Sequence, residues 1–350
     1  MTKAEIEKLV RGGEVLSQLD LTGADLTGAD LCGGIFEEVN FQGANLTGSQ
    51  LRESIFTQCI FTGAQMTGSS LRHAVIDRGA LRGVRLEQAD LIHLKATESD
   101  MSGASLAGAN LTNAVFYQTD LEGVDFSGAL LDVTVLMKGN MGKTNFSGAT
   151  LNRTVLLEAD LTTSHLAGAT FDTVILIETS LAGQDLKGMS FPKCQLMKTN
   201  LKGCDLSGAD LTQCNFKDAD LTEARLDGAR AGNTLFIDAK LTKASLKGAF
   251  LRQALFPGAD LTLADLSGAD LTQCIFTKAV LRAAVLRGAD LTEADLSHAD
   301  VSGADMRDVK LVRAKLHRIK EEATLWAGSD RGNAFGDDPE LAEAEDWTTK

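Results

Sequence analysis

Between Leu16 and Leu316 every fifth residue carries a core-type side chain, and no insertion or deletion interrupts the count. Those 61 positions hold Leu, Phe, Met, Ile or Val, except at Ala96 and Ala231. A period of five fits neither the helical 3.6 nor the strand period of 2. It fits a chain that turns a corner every five residues and sends one large and one small side chain inward on each side. Residues 259–271, ADLTLADLSGADL, show the unit cleanly: Ala259, Ala264 and Ala269 are the small positions, and Leu261, Leu266 and Leu271 the large ones. A period held this long marks a solenoid, in which each coil buries its core against its neighbours. A length of 350 residues would otherwise suggest two or three ordinary domains.

The unit small–polar–Leu/Phe–polar–Gly/polar resembles the pentapeptide-repeat family. Its best-preserved copies are ADLTG (24–28), ANLTG (44–48), ADLSG (264–268) and ADLTE (289–293). The resemblance implies an all-β fold: a right-handed quadrilateral β-helix, with four pentapeptides and so 20 residues in each coil. The phenylalanines support the 20-residue coil independently. Phe36, Phe56, Phe116, Phe216, Phe236, Phe256 and Phe276 share one place in a 20-residue cycle. Phe41 pairs with Phe61, Phe126 with Phe146, and Phe171 with Phe191 at the same spacing. Rings stacked at the ~4.8 Å separation of neighbouring strands gain contact beyond their buried area. About fifteen coils at that rise predict a rod of roughly 70 Å.

The ends of a solenoid leave a bare core and unpaired strand edges that need covering. Residues 1–14 predict a capping helix: Thr2 and Glu5 form a capping box, Ile6, Leu9 and Val10 one apolar face, and Gly12-Gly13 the stop. Residues 15–316 are the β-helix. In residues 317–350, a C-terminal cap and acidic tail, the register fails at Glu321, and Ile319, Leu325 and Trp326 are expected to fold over the last coil. The basic run Lys310, Arg313, Lys315, Arg318 and Lys320 has the charge to meet the tail. Asp338-Pro339 predicts a short helix start in a tail that reads as a frayed terminus or, alternatively, as a linear motif with Leu341 and Trp347 as anchors. The N-terminus lacks the apolar segment of a signal peptide, and no apolar run approaches a membrane span, so a cytoplasmic location is expected.

Departures from the pattern predict local irregularity. Leu94 and Ala96 exchange volume, Gln184 and Met189 are consecutive misfits at the small position, and Ala231 follows Ala229 on a thin side. Five of the six cysteines (Cys59, Cys194, Cys204, Cys214, Cys274) occupy the small inward position, where Cys acts as a compact hydrophobe. No phosphate-binding loop, dinucleotide fingerprint, HExxH or CxxC is present. His73 and His93, 20 apart, should stack at one corner, yet nothing places a third ligand beside them. The sequence therefore predicts a non-enzymatic protein without cofactor, metal or small-molecule substrate.

Some pentapeptide-repeat proteins protect type II topoisomerases from quinolones by presenting an acidic rod in place of DNA. The net charge is −14, of which the tail holds −5, leaving −9 on the repeat. Duplex DNA carries one charge per ~1.7 Å, whereas −9 over roughly 70 Å is about one per 8 Å. Nucleic-acid mimicry is thus the weaker reading, and binding to nucleic acid is not expected. The residue before each centre points outward and is polar on three sides of the coil. On the fourth, eleven of sixteen such residues are Val, Ile or Leu, against five Val, Ile, Leu or Phe among forty-five on the other sides. In mid-chain the residue after the centre agrees, which gives an apolar surface of Val115, Tyr117, Val135, Met137, Val155, Leu157, Ile175, Ile177, Leu235 and Ile237. A contiguous apolar strip marks an interface. The sequence predicts a scaffold or adaptor that engages a protein partner, a second copy of itself, or both. The opening EIEKLVRGGEVLSQLDLTGADLTGADL also resembles modules attached to bacterial type VI secretion loci. A topoisomerase modulator and a secreted bacterial effector stay open as alternatives.

Overall fold

The computed structural model describes residues 1–347; residues 348–350 of the tail lie outside the described residues. All 61 centres of the five-residue register are buried. Most centres outside the strands start a tight turn: the amide of the residue three further on donates to the centre's carbonyl, as Ala24 does to Leu21 at 3.0 Å and Ala29 to Leu26 at 3.0 Å. At nearly every centre the residue two places on takes positive φ, which in the hydrogen-bonded turns is the mark of type II. Glycine enters that region freely, and Gly23 sits there at φ 64°. Many other corners hold side chains that tolerate it less well, such as Glu53 at 59° and Lys243 at 58°. The coil-to-coil ladder is what keeps them there. Around Leu206, its amide donates to the Arg225 carbonyl at 2.6 Å, and the Arg225 amide donates to Cys204 at 2.8 Å.

The aspartates before the centres brace the corners. Asp20 Oδ1 accepts from the Thr22 amide at 3.0 Å and from the Thr22 hydroxyl at 2.6 Å, and Asp25, Asp160 and Asp260 repeat the pattern with Thr27, Thr162 and Thr262. This Asx turn is the physical content of the recurring Asp-Leu-Thr. The buried Ser49 and Ser69 hydroxyls have no partner among the described residues. Several other polar residues in the small inward position bond to the coil before: Thr134 and Thr234 hydroxyls donate to the carbonyls of Leu111 and Leu211 at 2.8 and 2.7 Å. The buried cysteines do the same, Cys274 Sγ reaching the Leu251 carbonyl at 3.0 Å. Burial pushes the Cys59 and Cys204 thiols up to about 11 and Cys274 to about 12, which leaves them inert.

The chain divides into two compact units, Met1–Thr179 and Ser180–Lys350. In the first, helix α1 (Lys3–Arg11) begins with the Thr2–Glu5 capping box and buries Ile6 and Val10 over the first coil. Its Glu7 carboxylate accepts from the Asp30 amide at 3.0 Å, tying the helix to that coil. Eleven three-residue strands follow: β1 Val15–Ser17, β2 Ile35–Glu37, β3 Ile55–Thr57, β4 Val75–Asp77, β5 Lys95–Thr97, β6 Val115–Tyr117, β7 Leu130–Asp132, β8 Val135–Met137, β9 Thr150–Asn152, β10 Val155–Leu157 and β11 Thr170–Asp172. They form two parallel sheets, β1-β2-β3-β4-β5-β6-β8-β10 and β7-β9-β11, with every partner 20 residues away. Phe36 stacks on Phe56 at 5.0 Å, Phe41 on Phe61 at 4.8 Å and Phe126 on Phe146 at 5.1 Å.

The second unit has four ladders of single bridges, for example Asp205↔Arg225, Asp210↔Arg230, Asn215↔Leu235 and Asp220↔Lys240, one for each side of a four-sided coil. Phe216, Phe236, Phe256 and Phe276 form a continuous stack with ring centroids 5.2, 4.8 and 4.7 Å apart. Phe171 and Phe191 belong to different units. The fold is thus a parallel, four-sided β-solenoid with a short helix toward each terminus.

Several local expectations are corrected. At 94–96 the exchange of volume is complete, so Leu94 and Ala96 are both buried and β5 pairs normally. At 229–231 the ladder also holds, with the Ala231 amide donating to Phe250 at 2.8 Å, because backbone bonds and not side-chain volume set the coil. Gln184 and Met189 are half-buried, while the Leu186 amide keeps its ladder bond to Asp205 at 2.8 Å. The sharpest approach to backbone lies elsewhere, at Gly139, where a Cβ would clash with the Thr119 carbonyl oxygen. The backbone ladder also runs beyond Leu316, through Val301 to Lys320, Met306 to Leu325 and Leu316 to Phe335. The next centres, Glu321, Trp326 and Arg331, close the end as a polar lid: Arg331 lies 4.7 Å over the Trp326 ring and bonds Glu321 at 2.7 Å. Leu325 is not part of that lid. It precedes a centre, so it points outward and is 51% exposed.

Replacing Leu206 by Ala should cost ~2–5 kcal/mol in urea unfolding, and Leu206→Asp should prevent folding, whereas Lys217→Asp on the outer face should stay within ~0.5 kcal/mol of the parent. A parent-like midpoint for Leu206→Asp would invert the assignment of inside and outside. Removing residues 1–12 should uncover the first coil and its strand edges and shift the protein into aggregates by light scattering. Hydrogen bonds, first from the Thr hydroxyl and then from its backbone amide, hold the Asp20, Asp25 and Asp160 carboxyls below their ordinary value. These groups stay charged to lower pH in the folded chain than in the unfolded one. Their contribution is therefore complete above pH ~4 and lost as pH falls through the lowered values. The unfolding midpoint should drop below pH ~4, and Asp20→Asn with Asp25→Asn should flatten that drop.

Candidate interaction surface

Strands β6, β8 and β10 place Val115, Val135 and Val155 in one parallel register, with Tyr117, Met137 and Leu157 in a second column. Ile175 continues the first column by its bridge to Val155, and Ile177 the second, its carbonyl accepting from the Glu158 amide at 3.2 Å. All eight lie in the first unit, and each is half-buried. They point away from the core centres between them, yet neighbours in the stack cover part of every side chain. The strip is therefore flatter and less open than eight free side chains would be. At its edge the Lys138 ammonium lies 5.7 Å from the Tyr117 ring centroid, a cation–π contact that leaves the aliphatic part of the strip uncharged.

Strand propensity alone would favour Val and Ile on this sheet. The second sheet of the same unit provides the control. Its three strands have the same length, yet their outward residues are Leu130, Thr150 and Thr170 in one column and Asp132, Asn152 and Asp172 in the other. Five of those six are polar, so an outward apolar residue is not a condition of forming these strands. The paired apolar columns of β6, β8 and β10 need another cause.

The remaining sequence-derived residues are placed separately. Leu235 and Ile237 lie in the second unit, half-buried, where Leu235 bridges Asn215 on one side and Leu255 on the other. Asn215 donates to Gln195 at 3.1 Å, so the column is polar before Leu235. In the tail, helix α2 (Pro339–Asp346) is capped by Asp338, whose carboxylate accepts from the Glu340 and Leu341 amides. Leu341 is 44% exposed and lines a cavity of about 460 Å³ with Phe335 and His317, while Trp347 is 73% exposed. Of the basic run, Arg318 alone has a described side-chain pairing with the tail's acids, with Asp346 and with Glu345 at 3.4 Å. Lys310, Arg313 and Lys315 instead pair with Asp290, Glu293 and Asp295, one coil back. His73 and His93 stack at 4.5 Å as the 20-residue cycle requires and offer two imidazoles on the surface.

One group was missed by sequence reasoning. His298, His317 and Glu345 bring their ligand atoms within 4.8 Å of one another. Reading His298 and His317 as corner neighbours in successive coils would have found the pair, but Glu345 joins only because α2 folds back.

No curated protein sequence matches the chain. Among solved structures, QnrB1, a plasmid-mediated fluoroquinolone resistance protein, aligns at TM-score 0.47 and 16% identity over 51% of this chain and 90% of its own. HetL, a pentapeptide repeat protein involved in heterocyst differentiation regulation from the cyanobacterium Nostoc sp. strain PCC 7120, aligns at TM-score 0.29 and 25% identity over 85% of this chain and 96% of its own. The family model described as Pentapeptide repeats (8 copies) matches residues 13–128 and 140–313. Matched over most of its length and built from the corners that motif encodes, the chain belongs to the pentapeptide-repeat family.

Proposed function

We propose that this protein is a non-enzymatic scaffold or adaptor whose apolar face, Val115 to Ile177, docks a protein. The observation that carries this reading is the contrast between two sheets of one unit: strands of equal length expose apolar pairs on one side and polar pairs on the other. A flat, rigid β-surface keeps its shape on binding and so loses little conformational entropy. Two such faces pack about ~10 Å apart, which suits a second copy related by a two-fold axis as well as a different partner.

The DNA-mimic alternative is weakened by the surface ion pairs. Arg225 and Arg230 face Asp205 and Asp210 at 3.6 and 3.2 Å, Arg72 and Arg82 face Asp90 and Asp100 at 3.0 Å each, and Arg282 faces Asp300 at 2.7 Å. Exposed pairs add little stability. They do cancel the outward field that would have to imitate a phosphate backbone. At the level of pathway, the resemblance of the opening segment favours an accessory role in bacterial type VI secretion, exercised in the cytoplasm. Co-purification from the native host would test that role, and a partner set without secretion components would remove it.

The double change Val135→Lys with Leu157→Glu should leave circular dichroism unchanged, since both side chains lie outside the core. Light scattering after size exclusion should show the parent as a dimer and the variant as a monomer. A monomeric parent assigns the face to a different protein, which the parent should then capture and the variant should not. Identical capture by both would remove the face as a docking surface.

A further inference from the structure

We propose that His298, His317 and Glu345 form a binding site for a divalent transition-metal ion of the zinc class, which latches helix α2 to the last coils of the second unit. Three separate stretches of chain supply the donors: a corner of one coil, the next coil, and the far end of α2. His298 Nε2 lies 2.9 Å from Glu345 Oε1, and His317 Nε2 lies 3.3 Å from Glu345 Oε2. The imidazole planes meet at 88°, with both Nε2 atoms turned toward the same carboxylate. Ligands of a tetrahedral zinc ion, each ~2.0–2.2 Å from the metal, stand about 3.3 Å apart, close to these separations. Two neutral imidazoles and a carboxylate are a donor set zinc accepts, with one position left for water.

The surroundings fit that assignment. His317 is 3% exposed, and so is fixed in place, while His298 and Glu345 are partly open to solvent, from which a water ligand can come. Asp337 Oδ1 stands 3.8 Å from His317 Nδ1, where an outer carboxylate orients a metal-bound imidazole. Glu345 accepts from both histidines, and its carboxyl is held below the usual range, so it is ionised at neutral pH. Helix α2 has eight residues and buries none of them. A helix of that length does not hold itself together in water, and here apolar packing does not hold it either.

Without metal, the Asp338 amide donates to His317 Nδ1 at 3.1 Å, which puts the ring's single proton on Nε2, facing Glu345. Loading the ion moves that proton to Nδ1, toward Asp337, and gives the Nε2 lone pair to the metal. No proton is gained or lost by the ring, and the Asp338 amide turns to solvent. Arg318 Nε, 3.4 Å from Glu345, and Lys315 on the cavity wall oppose the ion's charge, so the site is of moderate affinity.

The test uses the full chain stripped with chelator and titrated with zinc chloride by calorimetry, with hydrogen exchange read over residues 339–346. One ion per chain is expected, together with slowed exchange in α2. Glu345→Gln and His298→Gln should each weaken binding by at least about tenfold, and Asp337→Asn by about tenfold. His73→Gln with His93→Gln, and separately Cys32→Ser, which removes the one half-buried free cysteine, should leave binding unchanged. Both key substitutions lie on partly exposed side chains, and circular dichroism confirms that the variants fold. The proposal is overturned if no zinc binds at submillimolar concentration, if binding survives Glu345→Gln but is lost with the stacked pair or Cys32, or if zinc binds and α2 exchanges as fast as before.

Discussion

Within each unit, successive coils are tied together by backbone bonds of fixed reach. A centre's amide donates to a carbonyl 19 residues ahead, as Leu206 does to Arg225, and the residue before a centre donates 21 back, as Arg225 does to Cys204. Adding one residue between two such partners would shift both sets at once and bring an outward side chain into the core. The cost is that of burying a polar group and leaving backbone donors unpaired. This explains why 61 centres pass without an insertion. It also explains why corners keep positive φ even at Lys and Glu: the ladder fixes the backbone before the side chain has a say.

The same ladder decides what the sequence could and could not reveal. Inward positions, Phe columns, the Thr2–Glu5 cap and the Asp-Leu-Thr turns are local or strictly periodic, so they are legible residue by residue. The expected irregularities at Ala96 and Ala231 came from side-chain volume, which is subordinate to the ladder. Core-type centres likewise stop at Leu316, because Glu321 is no core residue. The backbone continues regardless and turns Glu321, Trp326 and Arg331 into a polar closure. For the apolar strip, the columns were legible from the 20-residue cycle. Their partial burial was not, since it depends on how far each side chain leans over its neighbour.

His298, His317 and Glu345 were illegible for another reason. Two of the three follow from the cycle, but Glu345 lies 47 residues from His298, across a segment that leaves the register. No periodicity carries through such a segment. Its path is set by the Asp338 cap, by the contact of Leu341 with the cavity and by Arg318, each a single interaction without a repeat behind it.

Nearest-neighbour coupling has a consequence for how two such features share one chain. In a solenoid, stability is a sum of coil terms and interfaces, and loss of structure begins at the ends. The strip at Val115 to Ile177 runs to the C-terminal edge of its unit, flanked by paired strands on the N-terminal side. Its flatness does not depend on the tail. The His298 and His317 coils, by contrast, stand next to the last paired strand edge, where opening is least costly. A ligand that bridges those coils to α2 binds only the closed end, so it lowers the population of the frayed one by mass action. On the reading proposed above, the strip would serve as a rigid surface and the terminal cluster as a closure, and the nearest-neighbour character of the fold would let each change without disturbing the other.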